Sequence, residues 1–130
     1  MFLSSLTTEQ KEAGFCLSHN VVVSDGDLSI GEERMMAEMR LEMNLAPDFE
    51  ARYLPLDGID TIFDSTRART IILIALIRLA YADGAFEIEE QCFIEDLCSV
   101  FGFSREHLDR LENWVRRFNS LEVELTDLFG

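Results

Sequence analysis

The chain has 130 residues, 48% of them hydrophobic, and carries 25 acidic against 11 basic side chains for a formal net charge of -14. That balance argues against nucleic acid or an anionic membrane surface as a partner, since both need a basic face, and the apolar content is too high for a disordered chain. Scarce Gly and Pro, with no alternation of β-branched and polar residues, point to one all-helical domain over residues 1–130.

After a short lead, Thr7 or Thr8 caps a first helix predicted to run to about Ser24, with Phe15 and Val22 on its apolar stripe. It ends at Asp25-Gly26. Ser29 and Glu32 then have the spacing of a capping box, and a second helix runs to about Met43, with Asn44 as its left-handed stop. Met35, Met36, Met39 and Met43 on that helix read as core. The connector, Asn44 to Ser65, holds a predicted short helix from Pro47 to about Leu54, ended by Pro55, and another from Asp57 to about Phe63.

The next stretch, TRARTIILIALIRLAYADGAFEIEE, is apolar almost all the way round from Ile71 to Ala80, so it predicts a helix over 66–82 buried on every side. Arg78 interrupts the run and can carry its head outward along its stem. At 13 residues, the apolar run Thr70 to Ala82 is too short to span a bilayer. A further helix is expected at about 88–101, stopped by Gly102. Ser104 then caps a helix to about Phe118, Asn119-Ser120 is a predicted break, and 121–129 a frayed last helix. Trp114 and Phe118 are expected to close the core. Arg116-Arg117 beside them either dock an acidic partner or balance local charge.

Displaced by 58 residues, the first part of the chain lies on the second. Thr8 falls on Thr66, Asp25-Gly26 on Asp83-Gly84, Ile30 on Ile88, Glu32 on Glu90, Met39 on Leu97, Met43 on Phe101 and Asn44 on Gly102. This predicts a compact helical bundle of two pseudo-twofold-related helix–turn–helix repeats, about 8–45 and 66–103, plus connector and C-terminal helices.

The shared pattern D-G-x-Φ-x-x-x-E matches the second half of a calcium-binding EF-hand loop. The first half is absent, because Val21 and Val23, or Leu79 and Tyr81, stand where oxygen ligands belong. Asp25, Asp27 and Glu32 can still converge across the first turn, and Asp83, Glu87 and Glu90 across the second. Hard cations such as calcium, magnesium or manganese prefer all-oxygen sites and relieve carboxylate repulsion. The other reading is structural: Asp-Gly is an ordinary helix-to-helix turn, and acids favour helix N-termini.

The units VVVSDGDLSIGEE and LAYADGAFEIEEQ resemble those of the TerB-like tellurite-resistance family, to which the N-terminal domain of a DnaJ-like membrane co-chaperone is related. The resemblance covers roughly residues 8–118. It implies an all-helical fold, a link to tellurite or chemical-stress response, and divalent-cation binding at Asp25, Glu32, Asp83 and Glu90. Ala85 replaces Asp27 in the second unit, so a role for Asp27 is specific to the first. Without a J-domain or membrane span, the co-chaperone function does not transfer.

Cys16, Cys92 and Cys98 form no C-x-x-C pair and read as reduced, mostly core thiols in a cytoplasmic protein. The N-terminus lacks the pattern of a secretory signal. Cys16 and His19 lack the second pair a zinc site needs, and His107 is expected on the surface. No nucleophile, triad or phosphate-loop signature stands out. The expectation is a non-enzymatic, stress-associated module that binds a divalent cation, has no organic cofactor and engages a protein partner. The rival is an interaction scaffold whose turns bind nothing. The sequence leaves oligomeric state and direct chemistry on tellurium open.

Overall fold

A computed structural model describes residues 1–24, 28–82 and 87–130. Among them are a 3-10 turn at Leu3–Ser5 and the helices α1 (Thr8–Val23), α2 (Ile30–Met43), α3 (Ile59–Ile62), α4 (Thr66–Ala80), α5 (Ile88–Val100) and α6 (Arg105–Leu128), with no strand. The fold is the expected all-α bundle.

Helix starts follow from capping chemistry. Thr7, Ser29, Ser65 and Ser104 each accept the backbone N–H three residues on, at 3.2, 3.0, 3.1 and 3.1 Å. Each bond satisfies one of the orphan donors of a first turn. Helix stops follow from backbone sterics. Asn44 (φ 53°) and Gly102 (φ 78°) take the left-handed conformation after α2 and α5.

The repeat is visible in these details. At a displacement of 58, the first residues of α1 and α4 coincide, as do those of α2 and α5, their caps and their left-handed stops. The stops share a bonding pattern as well. Asn44 N–H reaches Leu41 O at 3.1 Å and Leu45 N–H reaches Arg40 O at 3.2 Å. In the second unit Gly102 N–H reaches Ser99 O and Phe103 N–H reaches Cys98 O, both at 3.0 Å.

Helix α4 is the centre, packing against α1, α2, α5 and α6. Ile72, Leu73, Leu76, Ile77 and Leu79 are fully buried, and no apolar residue between Ile71 and Ala80 is exposed. Arg78 lays its guanidinium over the Phe118 ring, 5.0 Å from its centre. Met39 and Met43 are buried, with Met35 and Met36 packed against the same core.

Three local expectations need correction. Residues 47–54 form no helix. Arg40 binds Ala46 O and Phe49 O at 3.1 and 2.8 Å, and Asn20 binds both the N–H and the carbonyl of Leu54. Side chains thus take backbone groups that a helix would have used. Helix α3 begins after Gly58, at φ 78°, and not at Asp57. Helix α6 runs unbroken through Asn119-Ser120, where the Ser120 hydroxyl donates to Arg116 O at 3.1 Å and so is accommodated inside the helix.

Candidate functional site

Glu32 and Glu90 hold equivalent places in the two units. Each lies on the first turn of a helix that follows an Asp-Gly pair, and each is buried, at 2% and 1% exposure. Glu32 Oε1 accepts the Ser29 N–H at 3.0 Å while Ser29 Oγ accepts the Glu32 N–H at 3.0 Å. Glu90 Oε1 accepts the Glu87 N–H at 3.1 Å. The bond back to the cap folds each carboxyl over its helix start and out of solvent. The positive end of the helix dipole offsets part of the cost of burying a charged carboxyl there.

Of the other predicted ligands, Glu87 is exposed at the cap of α5. Asp25, Asp27 and Asp83 lie outside the described residues. Among the described residues no three carboxyl, imidazole or thiol groups gather as a metal would need.

One residue that brings the two units together escaped the sequence reading. A methyl group on Gly31 would sit 2.6 Å from the Ala82 carbonyl oxygen. The first turn of α2, which carries Glu32, is therefore seated on the backbone that leads into the second Asp-Gly pair. The signal was present only as the glycine beside the capping box, since close backbone approach is one reason for a glycine inside a helix.

The remaining candidates fall into structural places. Cys16 and Cys98 are buried, Cys92 is exposed, and all three are free thiols. Burial pushes the Cys98 thiol up, with Glu112 adding to the rise and Arg105 opposing it. A thiol shifted that way is protonated at neutral pH and is a poor nucleophile. His107 is half-buried, not on the surface, with its ring 4.4 Å from that of Phe103. Trp114 stacks on Phe118 with ring centres 5.4 Å apart, but it stays 37% exposed and does not close the core. Leu108 and Val115 are the α6 residues buried there.

No helix among the described residues is long and apolar enough to cross a membrane. No curated protein and no solved structure matches the chain. Residues 58–113, a little under half of it, match the model of the family described as Tellurite resistance protein TerB. The matched stretch spans α3, α4, the second Asp-Gly pair, α5 and the first turns of α6, while the first unit lies outside it. The second unit and the start of α6 are thus similar to the TerB family of tellurite-resistance proteins.

Proposed function

We propose that this chain is a non-enzymatic, stress-associated module in which the Asp-Gly turns bind a divalent cation (calcium, magnesium or manganese) and the fold presents that state to a protein partner. The observation that carries the reading is the pair of buried glutamates at equivalent helix starts, Glu32 and Glu90, each following an Asp-Gly pair in the sequence. Both carboxyls lie beside further acidic residues in the sequence, and a cation held by Glu32 with Asp25 and Asp27, or by Glu90 with Asp83 and Glu87, would relieve the repulsion within each group. The seat of Gly31 on Ala82 supports coupling between the turns, because a cation ordering one stiffens the backbone leading to the other.

The test is a thermal melt with each cation at ionic strength matched by sodium chloride. A cation bound only to the folded state at about 100 times its dissociation constant stabilises it by about 2.7 kcal/mol. For a chain of this length that raises the Tm by on the order of 10 °C. Glu32→Gln and Glu90→Gln keep the cap bond, because glutamine can also close a capping box. They should abolish the cation-specific rise without unfolding the protein. Equal responses to sodium and to the divalent cations at matched ionic strength would discard the metal reading.

The second reading is a protein-interaction scaffold with purely structural turns, favoured by the bonds already made at both helix starts. It predicts no cation-specific shift, and a loss from Ser29→Ala of about 0.5–2 kcal/mol that is the same with and without cation.

A further inference from the structure

Helix α6 has an apolar seam that the domain covers only at its beginning. Leu111, Trp114, Phe118, Leu121, Leu125 and Leu128 recur in alternating steps of three and four residues, the spacing of a coiled-coil interface. Leu111 packs against the core. Trp114 is 37% exposed and Phe118 half-buried beneath Arg78; beyond them the seam opens to solvent: Leu121 is 62%, Leu125 50% and Leu128 82% exposed, and every residue from Ser120 to Gly130 is exposed. About 15 Å of amphipathic helix therefore has no partner among the described residues.

The same face holds a groove of about 340 Å³ where α6 leaves the body, lined by Ile74, His107, Arg110, Leu111, Trp114 and Arg117. Its floor is apolar and its rim carries arginines, in a chain whose net charge is -14. The exposed end of α6 is the complement: an apolar seam flanked by Glu122, Glu124 and Asp127. One copy of the chain thus holds both halves of a contact, too far apart along one straight helix to meet.

We propose that two copies of this chain pair through antiparallel α6 helices, the acidic end of each lying in the arginine-rimmed groove of the other. The register that aligns the seams sets Phe118 against Leu121 of the second copy, Trp114 against Leu125 and Leu111 against Leu128. It also brings Arg117 to Glu124 of the second copy, and by symmetry Glu124 to Arg117. A parallel pair would leave the two grooves without an acidic helix end to fill them. The occupant is accordingly a second copy, selected by charge as well as by apolar fit.

Light scattering over a dilution series tests this. The wild-type chain should approach twice its 14.9 kDa mass as concentration rises. The emission of Trp114, the single tryptophan, should shift to the blue over the same range. Leu121→Glu with Leu125→Glu should weaken association about 100-fold or more. These positions are exposed in the single chain, so the double variant should keep its helix content and its Tm extrapolated to low concentration. Arg117→Glu alone should weaken pairing by about tenfold, and adding Glu124→Arg should restore it. A parallel pair would instead set Arg117 against Glu122, and Glu124→Arg would then restore nothing. A wild-type mass that stays at one chain throughout, a Trp114 emission that ignores concentration, or a Leu121/Leu125 variant that still pairs would each overturn the proposal.

Discussion

Helices α1 and α4 start on equivalent residues and lead to equivalent turns, yet they bury different chemistry. Where α4 has Ala68, Leu76 and Arg78, α1 has Gln10, Ser18 and Asn20, all three buried and all three hydrogen-bonded. Gln10 Nε2 donates to Ile62 O at 3.0 Å, and Asn20 donates to Leu54 O at 2.7 Å and accepts the Leu54 N–H at 3.2 Å. These amides fasten the connector. Helix α4 makes no such bonds from those positions; it reaches the connector through Arg69, which donates to Asp60 O and Phe63 O, and its inward surface is otherwise mainly apolar. One helical frame has thus been used twice, as a clamp for an irregular segment in the first unit and as the core in the second. The family match falls on the second.

The largest test of this division is to empty the same position in both units. Leu76→Ala should cost about 2–5 kcal/mol in urea unfolding, because α4 is enclosed on every side. Ser18→Ala, its equivalent, removes only a hydroxyl that turns back on Gly14 O at 2.9 Å. That bond is a second one to a helical carbonyl, so its loss should cost less than about 1 kcal/mol. Equal losses would mean that α1 and α4 share the core evenly.

The clamp is tested by Asn20→Ala, which leaves both backbone groups of Leu54 without their partner. The expected loss is about 1–3 kcal/mol, with faster proteolysis between residues 46 and 58 than elsewhere. Unchanged cleavage there would show that the connector holds its own shape. The seam between the units is tested by Gly31→Ala, at about 1–3 kcal/mol, since a methyl group there meets the Ala82 carbonyl. Gly14→Ala makes the contrast. Its methyl would meet the tip of the Ile72 side chain at 2.9 Å, which can turn away, and alanine favours the helix. That variant should be near neutral.

The frame was legible because its signals are local. Thr7, Ser29 and Ser104 announce helix starts, Asn44 and Gly102 announce stops, and the run from Ile71 to Ala80 can only be a core helix. What was not legible depends on distant partners. Nothing near Pro47 reveals that Arg40 and Asn20 will take the carbonyls of residues 46, 49 and 54. Asn119-Ser120 reads as a break by propensity, but a hydroxyl bonded back to Arg116 O is compatible with a continuing helix. Trp114 is large and apolar, as core residues are, yet it stays exposed on α6. Of the candidate site, the sequence singled out Glu32 and Glu90. It did not reveal that both carboxyls are buried, nor that Gly31 seats the first turn of α2 on Ala82.

After their shared stops the units diverge, and Glu112 reports on the divergence. Leu45 continues into the connector, whereas Phe103 is followed at once by the Ser104 cap and by α6, which packs on α4 and α5. That packing pushes the Glu112 carboxyl above its ordinary value of 4.5, chiefly through burial, with Asp109 and Glu95 adding to the rise and Arg105 and Arg116 opposing it. The folded chain therefore keeps this proton at pH values where the unfolded chain has released it. The stability that goes with it is fully present below the ordinary carboxylate range and is lost as pH rises through the elevated value. Glu112→Gln mimics the protonated group at every pH. The variant should match wild type in acid, gain on it as pH climbs through the carboxylate range, and level off at neutral pH with an advantage of about 0.5 kcal/mol or less. The measurement is the difference in urea midpoint between the two proteins across that range. An advantage that is constant with pH would assign the effect to shape or helix propensity. One that grows toward acid would mean that Glu112 is stabilised as a charge by Arg105 and Arg116, and that α6 does not press it against the second unit.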